Sequence, residues 1–417
     1  MRDDHSRAGR RRRRWSRVAA VMAVVAIVAA VTAVASSGES SPRGHAALSG
    51  APVKTMTITS LNSAGPVYPN IAITAKAYEK WINAHGGING HPLQVTVCDE
   101  HGKPTAAAAC ARQAVAQHVV AVVGSFSFLG TNIMPALIKA NIPMFGECCP
   151  ITAPEWTSPD SFPMGTQPLY AVGLVKRAVA DGCKHINAVI IDGAQGFEAP
   201  MDNAMKAYGM KFGKVIILPP TSQDDSSFVA QATSGGADCV VMIVSETPYI
   251  AWNQAWVQSG TKAREYGPQG NLDSVSIRGL GKKLDGSIIA GMYPDIATRP
   301  WATYRQALKN AKADPKQDYN SLGGLGTWAA YTGMQQIMRK MKGNITNATF
   351  KNAVAHTTAL NTGGMVPVIN FTKPWKANPP FARLFNRTVV FSTIKNGKVV
   401  PLTTKFEDVS NLALGRK

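Results

Sequence analysis

From Lys54 onward, short apolar segments alternate with longer segments in which apolar residues recur at helical spacing. The short segments are nearly continuous runs of valine and isoleucine, which is typical of parallel strands that helices cover on both faces. One series of strands and helices ends near Phe145, and a second series begins at Leu169. The alternation therefore predicts the α/β class, with two doubly wound parallel-sheet lobes.

The positions of the predicted elements follow from this alternation. Strands are expected at residues 55–59, 93–97, 119–123, 142–145, 188–191, 215–218, 240–244, 287–293, 389–394 and 399–403. Helices are expected at residues 71–85, 106–117, 132–140, 169–181, 199–208, 228–234, 251–259, 301–312 and 327–341. The last two strands flank Asn396-Gly397, which is a strong hairpin signal. This strand-rich end suggests that the chain crosses between the lobes more than once.

The predicted division of the chain has six parts. Residues 1–35 are expected to be a signal peptide and residues 36–52 a flexible tail. Residues 53–166 are the first part of lobe 1, residues 167–293 are lobe 2, residues 294–365 return to lobe 1, and residues 366–417 add C-terminal strands mainly to lobe 2.

The amino terminus has the three parts of a secretory signal peptide. Arginines crowd the stretch from Arg2 to Arg17, an uncharged run follows from Val18 to Ala35, and the run ends in Ala33-Val34-Ala35. A retained membrane anchor is the alternative, because a run of this length is also just enough to span a bilayer. We therefore expect an exported, extracytoplasmic protein of the cell envelope or periplasm.

The formal net charge of +19 invites a nucleic-acid interpretation. Much of that charge lies in the predicted leader, and the remainder is scattered, with no block of lysine and arginine interleaved with aromatic residues. The distribution therefore argues against nucleic acid as a partner. It fits mild attraction to an anionic cell envelope instead.

All six cysteines lie beyond the predicted leader, which fits an oxidising compartment. Cys98 ends a predicted strand, and Cys110 lies in the helix that returns over it, so the two are within plausible bridging distance. Cys183 and Cys239 each precede a strand, and these strands could be parallel neighbours. Sequence alone does not fix the connectivity.

The remaining cysteines, Cys148 and Cys149, are adjacent in the chain. They form either a strained eight-membered disulfide ring or two free thiols. Metal ligation is not expected, because no C-x-x-C pair and no His/Cys cluster at ligand spacing occurs in the sequence. We expect no metal and no cofactor.

Enzyme motifs are also missing from the sequence. The segment from Gly124 to Phe128 lacks the final glycine of G-x-S-x-G, and neither a P-loop nor H-E-x-x-H occurs. Glycines from Gly324 formally match a dinucleotide fingerprint, but no predicted strand precedes them. We therefore expect a protein that is not an enzyme.

Ligands of open α/β sheets bind beyond the carboxyl ends of the strands. These ends are predicted at residues 61–68, 99–101, 124–127, 146–152, 192–197, 221–224, 245–249 and 293. Two lobes that face each other with such edges form an inter-lobe cleft, and the cleft is the expected ligand site.

The segment from Asn83 to Leu93 reads N-A-H-G-G-I-N-G-H-P-L, a helix end with paired glycines and a tight turn into the next strand. It closely resembles the N-x-x-G-G-I-x-G-x-x-L signature of type I periplasmic solute-binding proteins of the leucine/isoleucine/valine-binding family. The likeness continues at residues 98–100, 119–125, 141–144, 153–155, 182–192, 235–244 and 327–341, and it spans about residues 53–402.

The resemblance implies the extracytoplasmic solute-binding component of an ABC importer, which closes two lobes on a small polar solute by hinge bending. Its expected partners are the solute, a branched-chain amino acid or a related amide or acid, and the ABC permease subunits in the membrane. A monomer is expected. The alternatives are a ligand-sensing receptor that acts with a separate signalling partner, and a secreted binder of amides, urea or an aromatic acid.

The resemblance also implies a set of site residues. In the first lobe, Ser125 and Thr152 are expected to donate hydrogen bonds to a ligand carboxylate, although a serine here also suits a helix cap. Glu147 departs from the family pattern, because an acid would repel a carboxylate unless it is turned away or paired. The other ligand-binding candidates are Tyr68, Phe126, Asp192, Phe197, Glu246 and Tyr249.

Overall fold

The computed structural model describes residues 48–417. The predicted signal peptide, most of the predicted tail and the alternative membrane anchor lie outside the described residues. Within residues 48–417 we find no helix with the length and hydropathy needed to span a bilayer.

The first part of the chain alternates strands and helices as predicted. Its elements are β1 (Val53–Thr59), α1 (Pro69–Asn83), β2 (Leu93–Asp99), α2 (Pro104–Ala116), β3 (Ala121–Val123), α3 (Gly130–Lys139), β4 (Met144–Phe145), α4 (Ala153–Thr157) and β5 (Ser161–Phe162). The five strands are parallel and lie in the order β2-β1-β3-β4-β5.

A second series follows and builds a second sheet. Its elements are α5 (Leu169–Ala180), β6 (Ile186–Ile191), α6 (Glu198–Ala207), β7 (Val215–Leu218), α7 (Ser226–Ala232), β8 (Cys239–Ile243), α8 (Glu246–Ser259), β9 (Arg264–Pro268) and β10 (Ile288–Gly291). All five strands of this series are parallel to their neighbours in the series.

The rest of the chain divides between the two sheets. Its elements are α9 (Ala302–Ala311), α10 (Leu322–Lys340), α11 (Asn347–Ala355), β11 (Thr388–Lys395), β12 (Lys398–Pro401), β13 (Glu407–Asp408) and α12 (Ser410–Ala413). Helices α9 and α10 pack against α1 of the first lobe. Strands β11 and β12 extend the second sheet to the order β12-β11-β10-β9-β8-β6-β7, and β13 pairs with β11.

Strand β1 shows why helices must cover both faces of the first sheet. Its Met56 and Ile58 are fully buried against α2 and α3. Its Thr57, which points to the opposite face, forms a 2.8 Å hydrogen bond with the hydroxyl of Tyr331 on α10. Alternate residues of one strand thus enter two separate cores, and the predicted pair of doubly wound lobes is confirmed.

The chain passes between the sheets three times, after β5, after β10 and before β11. The first connecting segment contacts the other two. The backbone N–H of Thr166 lies 3.3 Å from the sulfur of Met292, and the side chain of Asn386 donates to the carbonyl of Met164 at 3.1 Å. The crossings therefore lie side by side.

Two cysteine pairs are disulfide-bonded, Cys98–Cys110 and Cys183–Cys239. The second pair joins the starts of β6 and β8, which are adjacent parallel strands, as the sequence indicates. Cys148 and Cys149 are buried free thiols in this structure.

Candidate functional site

A cavity of about 70 Å³ lies where the carboxyl ends of strands from both sheets meet. Tyr68 and Phe126 reach it from the segments after β1 and β3, and Cys148 and Cys149 reach it from the segment after β4. The second lobe contributes the ends of β6 and β8 and the segment after β9. This arrangement places the cavity at the strand ends, as the sequence predicts.

Aromatic rings from both lobes form most of the wall. In the first lobe, the ring of Phe126 packs at 4.8 Å against Tyr68 and at 5.3 Å against Phe128, both edge to face. In the second lobe, the rings of Tyr170 and Phe197 lie 5.4 Å apart. Such walls suit the apolar part of a small molecule, and edge-to-face pairs hold the rings in fixed positions.

A few polar groups interrupt this apolar wall. The Oδ1 atom of Asn70 and the Oγ atom of Ser245 are buried, line the cavity and have no hydrogen-bond partner within residues 48–417. The Nδ2 group of Asn70 donates a hydrogen bond to the Oγ atom of Ser321 at 2.8 Å, and this bond fixes the orientation of the amide. Buried polar atoms without partners are uncommon, because leaving one unsatisfied costs about 1–3 kcal/mol.

Glu246 is the one charged residue among the described residues that line the cavity. It is the first residue of α8, and burial raises the pKa of its carboxyl to about 6, with a further contribution from Asp318. The carboxyl therefore remains largely ionised above that pH. An anionic group in an apolar cavity favours a ligand that brings a positive charge or N–H donors.

Two more acids lie behind Glu246 at the contact between the lobes. Burial raises the pKa of Asp273 to about 7 and raises the pKa of Asp318 well above its ordinary range. Each has one carboxyl oxygen without a hydrogen-bond partner within the described residues, and the two side chains interact directly. Two buried carboxyls in contact do not both ionise readily, so the pair favours a state in which one of them holds a proton.

The predicted carboxylate donors of the first lobe do not line the cavity. The Oγ atom of Ser125 accepts a hydrogen bond from the backbone N–H of Ile58 at 2.9 Å, so it joins β3 to β1 instead. It does not cap α3 either. The hydroxyl of Thr152 donates to Glu155 at 2.7 Å and caps α4.

Three other predicted residues also face away from the cavity. Glu147 is fully buried and accepts a hydrogen bond from Ser161 at 3.1 Å, and burial raises its pKa to about 8. Asp192 accepts from Gln195 at 2.8 Å at the protein surface. Tyr249 is buried in the core of the second lobe. Of the nine candidates, Tyr68, Phe126, Phe197 and Glu246 line the cavity.

The sequence prediction missed Asn70 and Tyr170, which both lie in the first turn of a helix that follows a strand end or a crossing. Their place in the first helical turn could have identified them, because the first turn of such a helix lies at the same edge of the sheet as the strand end. Ser245, which immediately precedes α8, falls within the predicted strand end at residues 245–249 but was not named as a ligand-binding candidate.

Solved structures with this architecture include a substrate-binding periplasmic protein from Ralstonia solanacearum, which is 16% identical, with a TM-score of 0.72 over 85% of this chain and 100% of that one. A leucine-binding protein from Thermotoga maritima is 16% identical, with a TM-score of 0.67 over 85% and 97% of the two chains. A solute-binding protein of an ABC transporter from R. palustris, in complex with 4-hydroxybenzoate, is 15% identical, with a TM-score of 0.69 over 86% and 96%.

No curated protein sequence matches the chain significantly. The family model described as periplasmic binding protein matches residues 52–380, which is most of the chain. Proteins of this kind are extracytoplasmic and bind solutes. The match agrees with the fold, with the cavity between the lobes and with the glycine signature after α1. The chain belongs to the periplasmic binding protein family.

Proposed function

We propose that the protein is the solute-binding component of an ABC importer and that its solute is a small amino acid with an apolar side chain, such as a branched-chain amino acid. The observation that carries this proposal is the pairing of a carboxylate, Glu246, with aromatic rings from both lobes in one cavity. Glu246 and the free Oδ1 atom of Asn70 are both acceptors, and an ammonium group supplies donors to both.

The other parts of an amino acid also find partners in the cavity. The apolar side chain packs on the rings of Phe126, Phe197 and Tyr170. The solute carboxylate accepts from neutral donors, the hydroxyl of Ser245 and the amides of Gln167 and Asn271, which all line the cavity. Glu147, the acid that would repel a carboxylate, points toward Ser161 instead.

Two of the similar structures are named for different solutes, leucine and 4-hydroxybenzoate. Both have a carboxylate and an apolar body, but only leucine has an ammonium group. Glu246 favours the ammonium, because its carboxylate is the one charged group among the described residues that line the cavity, and it repels an anionic ligand. The amino acid is therefore the better match.

Glu246→Gln tests this proposal, because it removes the charge but keeps the size of the side chain. Isothermal titration calorimetry with leucine, isoleucine, valine and phenylalanine should show binding to the unaltered protein that is at least about tenfold weaker in the variant, since a hydrogen bond to a charged group contributes about 1.5–3 kcal/mol. The control is Asp192→Asn, an acid at a strand end that lies outside the cavity, and it should leave affinity unchanged.

The opposite pattern would reject the amino-acid assignment. Binding of 4-hydroxybenzoate that strengthens in Glu246→Gln, with no amino acid bound, would assign an aromatic acid instead. Uptake of the radiolabelled solute by cells that lack the gene then tests the transport role. Undiminished uptake would favour a sensing role with a separate signalling partner.

A further inference from the structure

Two free thiols lie side by side in the wall of the cavity. Cys148 and Cys149 follow β4, both line the cavity, and their exposed fractions are 2% and 4%. The amino-acid proposal gives them no role. The other four cysteines form two disulfides, so Cys148 and Cys149 are the two cysteines of the described residues that remain as thiols.

Glycines fix the position of Cys148. A β-carbon at Gly165 would lie 1.5 Å from the carbonyl oxygen of Cys148, and one at Gly326 would lie 2.4 Å from its β-carbon. Both distances are far shorter than any van der Waals contact, so only glycine fits at either position. The backbone of residue 148 is therefore enclosed between the first crossing segment and α10.

Tyrosine side chains lie near the two cysteines. Tyr68 and Tyr170 line the same cavity as Cys148 and Cys149. A β-carbon at Gly326 would lie 2.4 Å from the β-carbon of Cys148 and 2.8 Å from the hydroxyl of Tyr293, so this hydroxyl lies beside residue 148. The hydroxyl of Tyr293 is buried without a hydrogen-bond partner within the described residues. A reaction at sulfur therefore alters a surface that directly faces the rings of the site.

We propose that Cys148 and Cys149 are a covalent modification site, at which a disulfide between neighbouring residues forms and becomes part of the wall of the solute site. The second half of this inference rests on the proposed function, because it takes the cavity to be the solute site. The oxidant is an external disulfide, either a small molecule or a protein, of the kind that maintains Cys98–Cys110 and Cys183–Cys239 in an oxidising compartment.

The chemistry is two successive thiol–disulfide exchanges. The thiolate of one cysteine attacks the external disulfide, forms a mixed disulfide and releases one external thiol. The thiolate of the other cysteine then attacks the protein sulfur of the mixed disulfide and releases the second external thiol. The protein loses two electrons and two protons, and the external disulfide gains them.

The state of the cavity controls access to this reaction. Burial raises the pKa of the Cys149 thiol well above its ordinary value, so the reactive thiolate is scarce while the cavity is closed. Exchange therefore requires that the cavity open to water. The product is a rigid ring without S–H donors, which presents a more apolar surface to the solute than two separate thiols do.

Peptide mass measurement tests the first half of the proposal without any solute. The exported protein is purified and equilibrated with oxidised glutathione. Its remaining free thiols are then blocked with N-ethylmaleimide at acid pH, and the protein is digested with trypsin. The tryptic peptide of residues 140–176 contains both cysteines and no other. We expect it to carry no maleimide and to weigh about 2 Da less than the thiol form, because two hydrogen atoms are lost.

Two maleimide groups on this peptide, a glutathione adduct, or a bond from either cysteine to another part of the chain would overturn the proposal. The peptides that contain Cys98–Cys110 and Cys183–Cys239 serve as internal controls for oxidation.

Solute affinity tests the second half. The double variant Cys148→Ser, Cys149→Ser cannot form the ring, and we expect it to bind leucine at least about threefold more weakly than the oxidised protein. The matched control is Cys98→Ser, Cys110→Ser, which removes a disulfide outside the cavity and should leave the affinity unchanged. Equal affinities would overturn the role of the ring in the wall. If no amino acid binds any of these proteins, the proposed function fails while the mass result stands.

Discussion

Gly270 is one of the residues at which the second lobe comes into direct contact with the first. Its φ is +78°, and a β-carbon there would lie 2.8 Å from the backbone nitrogen of Leu322 and from the Cα atom of Ser321. Gly270 follows β9, whereas Ser321 caps α10, and both line the cavity. Only glycine permits this approach together with this backbone conformation.

Gly270→Ala should therefore weaken solute binding, because the added methyl group holds the lobes apart. Gly279→Ala is the matched control, since Gly279 has nearly the same φ of +82° but no atom lies within 4 Å of where its β-carbon would be. Both variants should lose about 1–2 kcal/mol of unfolding free energy from the left-handed backbone. Calorimetry with the bound amino acid should show reduced affinity in Gly270→Ala alone, and equal affinities would contradict this role.

The direction in which individual side chains point was the part of the site that the sequence did not predict. Ser125 and Glu147 do follow β3 and β4 at the predicted edge of the sheet. Their side chains turn inward to Ile58 and Ser161 because each finds a buried hydrogen-bond partner there. Spacing along a strand predicts which end a residue occupies, but the direction of a loop side chain depends on partners that are distant in sequence.

At the scale of elements, the disulfide Cys183–Cys239 closes a much longer loop than Cys98–Cys110 does. The sequence separations are 56 and 12 residues. The long loop contains β6, α6, β7 and α7, whereas the short loop contains only the end of β2 and the start of α2. A cross-link restricts the unfolded chain more when the loop is longer.

Removal of the Cys183–Cys239 bond by serine substitution should therefore be the more destabilising change. Loop entropy predicts losses of about 4 kcal/mol for Cys183→Ser, Cys239→Ser and about 3 kcal/mol for Cys98→Ser, Cys110→Ser. Denaturant unfolding of the two double variants measures both values. A larger loss from the short loop would show that loop entropy does not dominate.

Elements with strong apolar runs were predictable, and short polar ones were not. Strand β7 agrees residue for residue with its prediction, and β1 is longer by two residues. Strand β5 has only two residues, and β9 contains charged residues, glycine and proline, so neither presents an apolar run. Helix α10 begins five residues before its predicted start because the Ser321 hydroxyl accepts from the N–H of Gly324 and caps a glycine-rich first turn.

At the scale of the whole molecule, several buried acids have a higher pKa in the folded chain than in the unfolded chain. Burial raises the pKa of Glu147 to about 8 and the pKa values of Glu155, Glu265 and Asp273 to about 7. Each raised pKa means that the folded chain holds its proton more tightly than the unfolded chain does. The stabilisation is fully present below the ordinary carboxyl pKa and is lost as pH rises through the shifted value.

The free energy of unfolding should therefore fall between pH 5 and pH 8, by up to about 1.4 kcal/mol per pH unit for each group. Glu147→Gln should reduce this slope and raise stability at pH 8, because the amide keeps the acceptor for Ser161 without a charge. Glu407→Gln, at the surface beside Lys176, is the control and should leave the slope unchanged. Chemical denaturation at pH 5, 6, 7 and 8 checks both, and a flat or rising profile would contradict the prediction.

Three neighbouring connections between the lobes restrict how one lobe can move against the other. They permit rotation about a shared hinge, but they resist sliding and twisting. A solute between the lobes therefore affects a single variable, the angle between them. A partner that contacts both lobes needs to detect only that angle, and it can respond in the same way to different solutes.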